Sequence, residues 1–194
     1  MPQNNEKQLL NHLTMPSMNP LPQKIINTID TFTDTCGRLL GWLSLIMMIL
    51  LCLVVLMRYG FDLGAVALQE SVSYLHGTIF MLGAAHTLKH EGHVRVDIFY
   101  RNFSPRAKAW VNSLGGIIFL LPLCTYIFVI SWEYVLQSWK IHEVSTEPGG
   151  IPAVFLLKTL IPVLSISLGL QTISEILRSA LILVADDRAS TIDG

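Results

Sequence analysis

"LLGWLSLIMMILLCLVVLM", residues 39–57, contains no Asp, Glu, Lys, Arg or His and stops at Arg58. About 20 apolar residues carry a helix across the ~30 Å hydrocarbon core of a bilayer, so this run reads as a membrane span. The rest of the composition agrees: 52% of the 194 residues are apolar and 14% are charged, and the mean hydropathy is +0.52. Such a chain has the bilayer as its main solvent. A net charge of -1 gives no electrostatic reason to expect nucleic acid as a partner.

Three further apolar runs lie downstream, at about 71–88, 111–130 and 152–184. The expected fold is therefore an all-α membrane protein with four transmembrane helices. The second run is the least apolar, with His76 and His86 inside it. The third is flanked by Trp110 and by Trp132, Tyr134 and Trp139, which match the aromatic belts at the two interfaces. The fourth is long enough to tilt or to project from the bilayer.

Upstream, residues 23–38 space Ile25, Ile26, Ile29, Phe32 and Cys36 like one helix face, opposite Asn27, Asp30 and Asp34. That pattern predicts an amphipathic helix lying in the interface, its apolar stripe toward the lipid. Residues 1–22 are rich in Asn, Gln and Pro and read as a flexible tail, and 185–194 as a second tail. No cleavage signal precedes the first span, which is expected to remain as an anchor.

Cations set the orientation. The segment "KHEGHVRVDIFYRNFSPRAK", residues 89–108, contains Lys89, Arg95, Arg101, Arg106 and Lys108. Lys7, Lys24, Arg38, Arg178 and Arg188 fall on the same side of a four-span arrangement, and only Arg58, Lys140 and Lys158 fall on the other. Short basic segments stay in the cytoplasm, so both termini and residues 89–108 are expected there.

The chemistry-bearing residues are sparse. His86 and His90 share a helix face, but a zinc-protease pattern would need a histidine where Val94 stands, and the sequence predicts no metal site. No cofactor motif is present. A b-type cytochrome using His76 and His86 is the alternative reading, although no other span offers a facing histidine. Cys36, Cys52 and Cys124 are too scattered for a disulfide framework and read as buried thiols. Buried acids and bases usually mark substrate paths through membranes, and here they are nearly absent. Lys158 is expected to snorkel to the interface, and Glu175 and Arg178 to pair across one helical turn. Pro122 and Pro162 interrupt spans, and "GRLLG", residues 37–41, offers a small-residue contact surface. These features describe an accessory membrane subunit, not an enzyme.

Glu70, the Gly83-Ala84-Ala85 step, "GHVRVDIFY" with Gly92, His93, Val94, Val96 and Asp97, and the block "PGGIPAVFLLKTLIPVLSISLGLQTISE" with Lys158 and Gln171 form a specific set. In these residues the chain resembles the small membrane subunit of tripartite ATP-independent periplasmic (TRAP) transporters, over roughly residues 25–184. The resemblance implies a four-helix scaffold in the bacterial inner membrane. It implies two partners, a large carrier subunit and a periplasmic binding protein that delivers an organic acid or related solute. A sodium gradient would drive uptake, with the substrate and sodium sites on the large subunit. Glu70, His93, Arg95, Asp97, Lys158 and Gln171 are then structural or partner-contact candidates. If residues 93–97 are extended, His93, Arg95 and Asp97 share one side and Val94 and Val96 the other. Asp97 would then fix the junction between the second and third spans.

Overall fold

A computed structural model of the chain describes residues 20–90 and 103–192. Every regular element among them is helical: α1 (Pro20–Gly60), α2 (Val66–Lys89), α3 (Pro105–Lys140) and α4 (Val154–Ile192). α4 packs against all three other helices, and α2 also lies against α1. Residues 1–19, and His93, Arg95 and Asp97 with their neighbours, lie outside the described residues.

Among the described residues, three helices are long and apolar enough to cross a membrane: α1, α3 and α4. α2 has 24 residues, about 36 Å of helix, which is also a membrane's thickness. Its apolar character is diluted by Ser71, Ser73, His76, Gly77, Thr78, Gly83, His86 and Thr87.

The bundle is inside-out relative to a water-soluble protein. Its buried positions are mostly small or polar: Ser113, Ser131, Ser138, Ser165, Gln171, Thr172, Ser174 and Ser179, with Ala85, Ala109 and Cys124. Large apolar side chains point outward, among them Trp42, Phe80, Phe119 and Tyr126. Hydrocarbon gives helices no hydrophobic reason to associate, so close approach through small residues and hydrogen bonds takes over. Many hydroxyls bond carbonyls of their own helix, such as Thr172 Oγ1 to Leu168 O at 2.7 Å and Ser165 Oγ to Ile161 O at 3.2 Å.

Local signals explain the helix ends and one internal irregularity. Ser104 caps α3 by accepting the Ala107 N–H at 3.3 Å, and Pro105 follows in the first turn, where no N–H is needed. Within α3, residues Gly116–Leu120 form a π turn, with the Leu121 N–H bonded to Gly116 O. Pro122 follows immediately, and the wider turn accommodates the N–H it lacks. Gly116 also lets α3 lie close to α4, since a Cβ there would lie 3.0 Å from Ile176.

α1 departs from the sequence expectation. Residues 23–38 are not a separate interfacial helix; they continue into the first span within one helix of 41 residues. The expected stripe is split between the two faces of the helix. Ile26, Thr33 and Leu40 are buried at seven-residue spacing, with Asp30 between them turned toward the bundle, while Ile25 and Phe32 face outward. "GRLLG" divides in the same way. Gly37 lies under the His86 ring, where a Cβ would fall 2.3 Å from Nδ1, whereas Gly41 meets nothing within 4 Å. All three cysteines are free, and Cys52 is exposed on the outer face, contrary to the expectation of burial.

Candidate functional site: polar ties at the two ends of the bundle

Charge is excluded, among the described residues, from one long stretch of each helix. Among the described residues, α1 has no Asp, Glu, Lys or Arg between Arg38 and Arg58, and α2 none between Glu70 and Lys89. The same holds in α3 between Lys108 and Glu133 and in α4 between Lys158 and Glu175. Glu70 and Lys89 lie about 28 Å apart along α2, so two separate polar sites result.

At one end, Asp30 of α1 is a hub. Its Oδ1 accepts hydrogen bonds from Gln171 Nε2 at 3.3 Å and Ser174 Oγ at 3.0 Å. Its Oδ2 pairs with Arg178, and Lys89 Nζ lies 3.8 Å away while donating to the Asp30 carbonyl at 2.9 Å. Lys89 also bonds Asp34 Oδ2 at 2.6 Å. Gln171 has no exposed surface and is held on both faces: its Oε1 accepts from Thr33 Oγ1 at 2.8 Å, and its Nε2 reaches Glu175 at 3.4 Å. Arg178 bonds Glu175 at 2.9 Å, the expected pair one helical turn apart. Three helices are thereby joined through charged and amide groups in a partly buried place, where such bonds are stronger than at an open surface.

At the other end, Glu70 braces the connection between α3 and α4. Its carboxylate accepts from Ser145 Oγ and, at 2.5 Å, from the Ile151 N–H. Ser145 N–H in turn bonds Ile151 O at 3.3 Å, closing the connection on itself. The turn depends on Gly149, whose φ of 80° is easily adopted only without a side chain. Lys158 donates to Glu143 at 2.5 Å and sits 4.1 Å above the Tyr134 ring. It is paired within the protein. The Lys158 ammonium holds the Glu143 carboxyl below the usual carboxylate range. Trp139 Nε1 completes this end by donating to Thr159 Oγ1 at 2.8 Å.

Of the residues expected from sequence, Gln171 belongs to the first tie and Glu70 and Lys158 to the second; His93, Arg95 and Asp97 lie outside the described residues. Asp30, Asp34 and Glu143 escaped sequence reading because each looks like a solvated acid. The available signal was the matching number of cations, Lys89, Arg178 and Lys158, at the ends of neighbouring apolar runs. The cytochrome alternative does not fit. His76 and His86 are on one helix about 15 Å apart, and His86 packs against Gly37, so the two cannot flank one iron.

A multi-pass helical membrane protein whose charges flank a long apolar stretch of each helix defines the class. The family model "Tripartite ATP-independent periplasmic transporters, DctQ component" matches residues 47–181, and the chain belongs to this family. It is thus a transporter component and not an enzyme. Comparison with curated proteins and with solved structures gives no match.

Proposed function

We propose that the chain acts as the scaffold for the large carrier subunit of a sodium-gradient-driven TRAP transporter in the bacterial inner membrane. A periplasmic binding protein would deliver an organic acid or related solute to that pair. The observation that carries this reading is the lack of Asp, Glu, Lys or Arg along one long apolar stretch of each described helix. A carrier needs polar groups at mid-membrane to hold an ion or an acid. Here the charged groups of the two ties are bonded within the protein.

In this reading α2 is a fourth span and both termini are cytoplasmic. The Asp30 end then faces the cytoplasm and the Glu70 end the periplasm. Residues 93–97 form a partner contact on the cytoplasmic side.

Gentle solubilisation of the full chain should bring down one much larger membrane protein, and the purified chain in liposomes should transport nothing. Transport by the chain alone would overturn the scaffold role. For orientation, cysteines at Phe103 and Val144, both exposed positions, should label from opposite faces of intact cells, with residue 103 protected from outside. Labelling of both from outside would overturn the four-span arrangement.

A further inference from the structure

We propose that Asp34, His86 and His90 form a site for one divalent cation of the zinc type, bound by two imidazoles and one carboxylate. One potential ligand atom from each residue lies within 4.8 Å of the other two. Asp34 Oδ1 is 3.1 Å from His90 Nε2 and 3.9 Å from His86 Nδ1. In a tetrahedral site with bonds of about 2.0–2.1 Å, ligand atoms stand about 3.3 Å apart, so the three groups need only a small closure around an ion. Water would take the fourth position.

Independent features point the same way. His86 Nδ1 is buried and has no hydrogen-bond partner among the described residues, although it faces a carboxylate oxygen. The ring is fixed there by Gly37, which leaves no room for a side chain between it and α1. Lys89 engages Asp34 through Oδ2, leaving Oδ1 toward the imidazoles. His86 and His90 are one helical turn apart, with ring centroids at 4.3 Å, so their ligand atoms converge without any change of backbone. The site also sits at the C-terminal end of α2, where the helix dipole favours a cation. Nitrogen and carboxylate donors in this number suit Zn2+, Co2+ or Ni2+ better than Ca2+ or Mg2+, which require more oxygens. Neither an acidic cluster nor a histidine pair alone would carry the assignment. The unpartnered nitrogen and the carboxylate arriving from a different helix are what define it. A bound ion would staple α1 to the end of α2 without using any group proposed to touch substrate.

Co2+ is the probe, titrated into the untagged full chain in mild detergent after chelator treatment. One equivalent should bind, with the visible absorption of a tetrahedral centre, and Zn2+ should displace it. His90→Ala and Asp34→Asn should each weaken binding at least tenfold. His76→Ala, on the same helix but remote, should leave it unchanged. His90→Cys should retain Co2+ and add a thiolate charge-transfer band, which a merely misfolded variant would not do. If the unaltered chain binds Co2+ no more tightly than His90→Ala, or if His76→Ala weakens it equally, the site does not exist.

Discussion

The Asp30 end and the Glu70 end both join polar groups across helices, yet they hold different things. At the Asp30 end the bonds run from helix to helix: Asp30, Thr33 and Asp34 on α1, Lys89 on α2, and Gln171, Ser174 and Arg178 on α4. At the Glu70 end they run from helices to a connection, from Glu70 to Ser145 and Ile151 and from Lys158 to Glu143. Breaking the first network leaves charges stranded among packed helices. Breaking the second frees a segment that water can solvate. The global stability of the bundle should therefore be concentrated at one end, and the shape of a surface connection at the other.

The largest expected effect comes from Asp30→Asn. Removing the hub's charge leaves Arg178 with Glu175 and Lys89 with Asp34; loss of one partner of a fully buried pair costs about 3–5 kcal/mol, an upper bound here. With the Arg178 side chain 35% exposed, screening brings the expected loss to about 2–3 kcal/mol. Denaturant or thermal unfolding in detergent would measure it, and an unchanged midpoint would remove Asp30 from the centre of the comparison. Gln171→Leu comes next. It deprives buried Thr33 of its acceptor and Asp30 of a donor, for a loss of about 1–2 kcal/mol on the same measurement.

Glu70→Gln should separate the two ends most clearly. The helices should melt nearly as before, while protease cuts the connection at 141–153 severalfold faster. A global loss equal to that of Asp30→Asn would erase the distinction. The smallest effect is on pH. Because the folded pKa of Glu143 is lowered, its bridge to Lys158 contributes fully above the ordinary carboxylate value of 4.5 and is lost as pH falls through the lower folded value. Protection of the connection in the unaltered protein should thus exceed that in Glu143→Gln above pH 4.5, the difference shrinking in more acid solution.

How much of this was legible depends on which physical rule governed each residue. Apolar runs long enough to cross hydrocarbon read directly, as α1, α3 and α4 show, because that signal is local in the chain. The family resemblance was legible in "GHVRVDIFY" and the 148–175 block, and the family match over 47–181 agrees. The face that α1 turns inward was not. Periodicity separates Ile25 and Phe32, which face outward as expected, from Asp30 and Asp34, but it does not say that the acids and Ile26 meet protein. In water the apolar stripe is buried; beside hydrocarbon it can remain outside while the acids seek Lys89 and Arg178. For Lys158 the sequence shows only that a cation near a span's end can reach the interface; tertiary structure reveals its partner Glu143 at 2.5 Å. Asp34 likewise joins the histidines through folding, across more than fifty positions of sequence separation.

The unbroken helix α1 has a mechanical consequence. Its 41 residues make a rod about 60 Å long, roughly twice the thickness of the hydrocarbon core. Neither Gly37 nor Gly41 interrupts it. A push or twist at Asp30 is therefore delivered to Gly60 without an intervening hinge, and the segment outside the hydrocarbon acts as a handle on the segment within it. Clamped near one end by α2 and α4, such a rod resists bending there and concentrates any deflection at the short turn, residues 61–65, that leads into α2.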